Sequence, residues 1–188
     1  MLKRSILLGC MALLIAAVSS CIFDPQPTKC TDCATQKPQV ILDLSHKTDV
    51  LNNIEYAYNK RREDVYNALL DNDFTFFYTE ADVGGSGGTP VQWGRDVEST
   101  ATAGLLGDAT KIAMDISWED GVQWLQQVSG TETWYYTTVF YHFTIKIGET
   151  TYIPNSGAKA QFTVRNAAAP GEKEHWQLVE FRDLGGPS

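Results

Sequence analysis

Two cysteines stand three positions apart in the motif CTDC at residues 30–33, a spacing that serves several kinds of chemistry. Such a pair can be a redox dithiol, half of a zinc site or a small local disulfide. A redox motif should open a helix within a βαβ unit, whereas this one lies in a proline-containing stretch. A zinc site needs two further ligands, and the three histidines show no ligand spacing. In an oxidising compartment we expect a disulfide between Cys30 and Cys33, and we expect no metal or organic cofactor.

The acid–base candidates are two carboxylates and two histidines on predicted strands. Burial would raise the pKa of a carboxyl such as that of Asp115 or Glu180 and suit it to proton transfer; the alternative is that both point to solvent. His142 lies on the less apolar face of a long strand, and His175 starts the last strand, so we expect both at the surface. No Ser–His–Asp pattern can be assigned, and the sequence identifies no catalytic residue.

The N-terminus has the order of a secretory signal. Lys3 and Arg4 precede an apolar run over residues 6–18, which is shorter than the ~20 residues of a membrane span. The motif VSSC at 18–21 resembles the lipobox of bacterial lipoproteins, which implies cleavage after residue 20 and acylation of Cys21. The alternative is an ordinary signal peptide with Cys21 there by chance. Since Ile22 follows, and not the Asp that resembles an inner-membrane retention signal, we expect a lipid anchor in the outer membrane facing the periplasm.

Composition excludes several classes of protein. The chain has 188 residues, of which 43% are hydrophobic and 20% charged, so it is neither disordered, collagen-like nor a coiled coil. The net charge of −8 and the lack of a basic cluster argue against nucleic acid as a partner. The glycine-rich run at 84–88 lacks the lysine of a P-loop. The pair Arg61 and Arg62 is best explained as a solvated helix edge.

The segments that must position these residues divide into a signal peptide over 1–20, a flexible tether over 21–45, a domain over 46–184 and a tail over 185–188. Helical apolar spacing runs from residue 48 to 69 with a break near 61–62, and Asn72-Asp73 predicts a turn. A short strand follows at 74–78, and a third helix covers 94–106. The remaining strands cover 112–118, 134–147, a segment through 162–164, and 175–181. Because their loops are of hairpin length, we expect an antiparallel sheet with helices on one face, which is an α+β domain.

The order and spacing of these elements resemble the NTF2-like (SnoaL-like) family. The resemblance is carried by YNKRR at 58–62, LLDNDFTF at 69–76, WGR at 93–95 with Glu98, and HWQLVEFRD at 175–183. It implies a cone in which N-terminal helices pack on a curved antiparallel sheet and enclose a pocket open at one end. Members of the family include isomerases, dehydratases and cyclases as well as non-catalytic binding domains.

The resemblance also implies an aromatic lining for that pocket. Tyr58, Phe76 and Trp93 resemble positions that line the cone. Tyr141, on the apolar face of the central strand, and Trp176, on the last strand, complete the candidate set. Each of the five also fits a plain core position.

The long strand carries aromatic residues on both faces. One face holds Val139, Tyr141, Phe143, Ile145 and Ile147, which is the better core face. The other holds Trp134, Tyr136, Thr138, Phe140, His142, Thr144 and Lys146, although the uncovered face of such a sheet is normally polar. An apolar patch of this kind marks an interface, so we expect a homodimer through the convex face of the sheet; in the competing explanation the tether folds back over the patch.

Three functions remain open. The favoured one is a membrane-anchored envelope lipoprotein whose domain binds a small apolar ligand or a protein partner without catalysis. The alternatives are an isomerase- or dehydratase-type enzyme that uses the cone pocket, and a purely structural dimeric module.

Overall fold

The computed structural model describes residues 40, 43–79, 90–118, 121–153 and 158–185, all within the unit that spans residues 38–188. The predicted signal peptide, lipidation site Cys21, disulfide Cys30–Cys33 and glycine-rich loop lie outside these residues. The described elements, in chain order, are α1 Lys47–Lys60, α2 Glu63–Leu69, β1 Leu70–Thr79, β2 Pro90–Gly94, α3 Arg95–Asp108, β3 Lys111–Ser117, β4 Leu125–Ser129, β5 Glu132–Ile147, β6 Thr150–Tyr152, β7 Ala158–Asn166 and β8 Trp176–Gly185.

The helices follow the predicted periodicity. The backbone N–H of His46 donates to the Asp49 carboxylate, which fixes the start of α1. The predicted break is confirmed: α1 ends at Lys60, and Arg61 adopts a left-handed conformation with φ of 52°. The Arg61 guanidinium donates to the carbonyl oxygen of Ala109 at 2.7 Å and so ties this break to the end of α3. None of the described helices is long and apolar enough to cross a membrane.

The described sheet has the strand order β2-β1-β8-β7-β5-β3, and β4 and β6 also pair with β5. It curls strongly around the helices, which confirms the expected α+β architecture of helices on a curved sheet. The expectation that the sheet is wholly antiparallel is wrong, because β1 and β8 pair in parallel. Short loops impose antiparallel pairing only on neighbours in sequence, whereas these two strands lie almost a whole domain apart.

The strand β5 separates its two faces as its alternation predicts. Its residues Val139, Tyr141 and Ile145 are buried against the helices, Phe143 is partly buried, and Ile147 is exposed at the strand end. We call this side of the sheet the inner face. The side chains that alternate with these point away from the helices, and we call that side the outer face.

The strand β1 begins at Leu70, earlier than predicted, and includes the Asn72-Asp73 pair that predicted a turn. The Asp71 carboxylate accepts from the backbone N–H of Asp73, and the pairing with β8 shifts register between Leu70 and Thr75. The turn chemistry therefore produces an irregularity within a strand and not a chain reversal. Packing also starts before α1, because Leu44 is buried and its carbonyl oxygen accepts from the backbone N–H of Trp176.

Candidate functional site

A buried carboxylate lies inside the domain, at the first turn of α3. This residue is Glu98, which is only 4% exposed. Its Oε1 accepts from the hydroxyls of Tyr66 at 2.6 Å and Thr102 at 3.0 Å, and its Oε2 accepts from the indole N–H of Trp93 at 2.7 Å. The Tyr58 hydroxyl lies 3.5 Å from that of Thr102. We call these five residues the Glu98 cluster.

Four elements bring the cluster together. Glu98 and Thr102 stand four residues apart in α3 and so share one face of that helix. Tyr58 from α1 and Tyr66 from α2 meet edge to face across the helix break, with ring centroids 5.3 Å apart. Trp93 comes from β2, directly before α3. A carboxylate at a helix N-terminus also interacts favourably with the helix dipole.

Burial keeps the phenol side chains of Tyr58 and Tyr66 protonated. It raises the pKa of Tyr58 to about 12, and the charge of Glu98 acts in the same direction. Burial likewise raises the pKa of Tyr66 well above its ordinary value. Both hydroxyls therefore keep their protons at neutral pH, and that of Tyr66 donates to the carboxylate. Hydrogen bonds within the protein occupy three of the ~4 acceptor positions of the Glu98 carboxylate. This is the environment of a structural residue rather than of a general base.

The structure places three of the five predicted lining residues together. Tyr58 and Trp93 belong to the Glu98 cluster, and the ring of Phe76 stacks on Trp93 at a centroid distance of 4.6 Å. Tyr141 is buried on the inner face of β5. Trp176 lies elsewhere, next to Tyr135 with ring centroids 5.4 Å apart.

The ammonium group of Lys47 covers both of these last rings, at 4.3 Å from the Tyr135 centroid and 4.4 Å from the Trp176 centroid. Four cavities in the described part of the chain, two beside Arg165, one near Leu44 and one near Trp118, are lined by other residues. A pocket lined by the five aromatic residues therefore stays a prediction.

The structure brings two of the other acid–base candidates, Asp115 and His142, together and places His175 and Glu180 elsewhere. Asp115 and His142 are exposed and lie opposite one another on β3 and β5. His175 is exposed, as expected, and Glu180 accepts from the Arg182 guanidinium at 3.2 Å. Within the described residues, no group of three or more His, Cys, Asp or Glu side chains is placed to hold a metal ion.

The outer face of the sheet is rich in aromatic side chains. Trp134, Tyr136 and Phe140 are half-buried there, as is Phe77 from β1. Two cations lie over cross-strand aromatic partners: Arg182 over Phe77 at 4.4 Å, and Lys159 over Phe140 at 4.7 Å. The face therefore combines apolar area with fixed positive groups.

A cavity of about 340 Å³ lies on this outer face, lined by residues of β1, β4, β5, β7 and β8. Trp134 contributes to its lining, and the indole nitrogen of Trp134 is buried with no hydrogen-bond partner among the described residues. The half-buried aromatic rings on this face make it a candidate for contact with another molecule.

Sequence reasoning did not single out Arg165, which joins the outer face to a second, polar cavity of about 640 Å³. Its guanidinium forms a two-pronged pair with the buried carboxylate of Asp71, at 2.8 and 2.6 Å, and a further ion pair with Asp73 at 2.7 Å. Two further cavities in the described structure are an apolar groove of about 370 Å³ near Leu44 and Val65, and a small space of about 190 Å³ near Trp118.

No protein-family model matches the sequence, and no curated protein matches it significantly. Solved structures do resemble the fold. A proposed aromatic ring hydroxylase from Novosphingobium aromaticivorans superposes with a TM-score of 0.53 over 76% of this chain and 89% of its own, at 12% sequence identity. An NTF2-like protein of unknown function in nutrient uptake from Rhodospirillum rubrum reaches 0.50 over 72% and 93%, also at 12% identity.

The β subunit of a proposed aromatic-ring-hydroxylating dioxygenase from N. aromaticivorans likewise reaches a TM-score of 0.50, over 77% of this chain and 90% of its own, at 9% identity. The NTF2-like cone expected from the sequence is confirmed. At such low identities the likeness extends to the fold and not to the activity.

Proposed function

We propose that this NTF2-like protein is a lipid-anchored protein of the bacterial cell envelope that works by binding a protein partner, in the first instance a second copy of itself, without catalysis. The observation that carries the proposal is the outer face of the sheet. Half-buried aromatic rings and two cation–aromatic pairs lie on one surface. Aromatic residues dominate the energetic centres of interfaces, and isologous dimers bury the same patch on both subunits.

Catalysis is the weaker explanation for the interior. A general base needs a free oxygen that a substrate can reach, and Glu98 already accepts three hydrogen bonds while almost fully buried. A small apolar ligand is the second candidate, since the half-buried rings of Phe76, Tyr78 and Trp93 form an aromatic group beside the cluster. The lipid anchor would concentrate either activity at the membrane.

The test compares the oligomeric state of three chains by light scattering, each starting at residue 21 and carrying Cys21→Ser. The first chain carries no further substitution and is expected to be a dimer at tens of micromolar. Phe140→Glu removes the ring that Lys159 covers and places a carboxylate on the outer face, and it should give monomers, because association would have to desolvate that charge. Val97→Glu makes the same type of change at an exposed position on α3 and should leave the dimer intact. A monomeric unmodified chain would reject the dimer and leave ligand binding as the function to test.

A further inference from the structure

The cavity of about 340 Å³ on the outer face is a groove that crosses four neighbouring strands. It runs from Phe77 on β1, over β8 and β7, to Trp134 on β5, which is about 14 Å along the sheet at ~4.8 Å per strand. We call it the outer-face groove. Trp134 and Phe140 lie about 20 Å apart along β5, at ~3.4 Å per residue. The groove is therefore separate from the part of the outer face that Phe140→Glu tests.

Polar side chains that line this groove have unused hydrogen-bonding groups. Thr75, Gln127 and Gln161 belong to the lining, and their hydroxyl and amide groups make no hydrogen bond to another described residue. All three residues are at least partly exposed and their polar atoms are accessible, so a molecule in the groove can reach them. A hydroxyl and a primary amide both donate and accept. The groove therefore offers donors and acceptors side by side.

The guanidinium of Arg182 is held in a fixed orientation in the same groove. Its Nε donates to the Glu180 carboxylate at 3.2 Å, and its central carbon lies 4.4 Å from the centroid of the Phe77 ring. Its two terminal nitrogens make no hydrogen bond within the described structure, and the side chain is 42% exposed. Because the group is planar and already held in place, it presents paired N–H donors at a small loss of conformational entropy.

The charges around the groove favour a neutral ligand. In the described structure three carboxylates lie within ion-pair distance of the Arg165 guanidinium, and that of Glu180 pairs with Arg182. The three are those of Asp71, Asp73 and Glu132. Four carboxylates outnumber two guanidinium groups, so an anion would be repelled. Each carboxylate already has a cationic partner, which reduces its attraction for a cation from solution.

An aromatic ring beside such polar groups is suited to a sugar. Trp134 lines one end of the groove and is half-buried. The face of an aromatic ring carries partial negative charge, which attracts the weakly positive C–H groups on the face of a pyranose. The hydroxyls around the edge of the same sugar donate and accept, and so match the amides and the guanidinium. Because the groove is longer than one six-membered ring, at least two linked sugars are needed to fill it.

We propose that the outer-face groove is a binding site for a short neutral oligosaccharide. One sugar ring lies on the Trp134 indole, and sugar hydroxyls accept from Arg182 and pair with the amides of Gln127 and Gln161. A volume of about 340 Å³ lies at the lower end of the ~300–1,000 Å³ typical of small-molecule sites. This binding activity goes beyond the self-association proposed above and does not depend on it.

The experiment titrates the purified full chain, labelled with ¹⁵N at tryptophan, with cellobiose, a neutral disaccharide. The Trp134 indole resonance is assigned by its loss in Trp134→Phe. We expect a saturable shift of this resonance with half-saturation at about 10 mM or below. Cellobiouronic acid, which has the same two rings and one carboxylate, should bind several-fold more weakly because of the carboxylates around the groove.

Two substitutions on β4 form a matched pair. Gln127→Leu removes an amide that lines the groove and should weaken cellobiose binding several-fold. Gln126→Leu makes the same change one residue earlier, where the side chain points to the other face of the sheet, and should leave binding unchanged. Arg182→Lys keeps the positive charge but removes the paired terminal N–H donors, so it should also weaken binding several-fold.

Three results would overturn the proposal: an unmoved Trp134 resonance, which would indicate a groove filled by water only; equal or tighter binding of cellobiouronic acid; or undiminished binding by Gln127→Leu. Light scattering on the same samples reports separately on the dimer. Phe140→Glu should lose the dimer and keep its affinity for cellobiose, whereas loss of both would contradict a separate site. A monomeric wild-type chain that binds cellobiose would reject the dimer alone and support the groove as a sugar site.

Discussion

The Glu98 cluster predicts a large effect of one substitution. Glu98→Ala removes the common acceptor of three donors, of which the hydroxyls of Tyr66 and Thr102 are almost fully buried and the Trp93 indole is half-buried. Leaving a buried donor unpaired costs about 1–3 kcal/mol. Three such losses, offset in part because the carboxylate no longer has to be desolvated, should lower the free energy of unfolding by about 3–5 kcal/mol.

Urea unfolding followed by tryptophan fluorescence and circular dichroism measures this difference. The matched control is Asp96→Ala, which removes an exposed carboxylate from the same first turn of α3 and should cost about 0.5 kcal/mol or less. Tyr66→Phe should cost about 1–2 kcal/mol, and its effect should shrink in the Glu98→Ala background, because the two residues share one hydrogen bond. A loss under about 1 kcal/mol for Glu98→Ala would refute the view that the cluster holds α3 to α1 and α2.

Two further predictions concern pH and the membrane anchor. Because burial raises the pKa of Tyr58 to about 12, the folded state holds this proton more tightly than the unfolded chain does. The resulting stability is complete below the unfolded pKa of ~10 and is lost as the pH rises toward 12, by about 3 kcal/mol for this phenol alone. Tyr58→Phe should flatten that decline in urea titrations at each pH, and a wild-type stability that stays constant across this window would contradict the assignment. At the N-terminus, a fatty-acid probe should label the wild-type protein in growing bacteria but not Cys21→Ser; equal labelling of both would exclude the lipid anchor.

The sequence predicts those helices and strands in which apolar residues recur at a regular spacing along the chain. The spacing of Val50, Leu51 and Ile54 predicts α1, and the alternation of Ile112, Met114 and Ile116 predicts β3 with its buried face. In β5, the split between inner and outer residues follows from alternation alone. Each of these depends on side chains that are close in sequence, which a single chain reveals directly.

Features that depend on distant segments could not be predicted in this way. The parallel pairing of β1 with β8 joins segments about a hundred residues apart, and no local pattern specifies it. The strand β4 has exposed hydrophobic residues such as Val128, so its alternation carries no burial signal. Glu98 has the pattern of an ordinary acid at a helix start, and its burial results from Tyr66 and Trp93, which two other elements supply.

The central claim is that the outer face of the sheet binds a second copy of the chain. A distance measurement between spin labels tests it most directly. One label is placed at Thr138→Cys, exposed on the outer face, and a second sample carries it at Val97→Cys on α3; residues Cys21, Cys30 and Cys33 are replaced by serine in both. The proposal predicts dipolar coupling between the two copies, with a distance that is clearly shorter for the Thr138 label than for the Val97 label. No coupling in either sample, or a shorter distance from Val97, would contradict it.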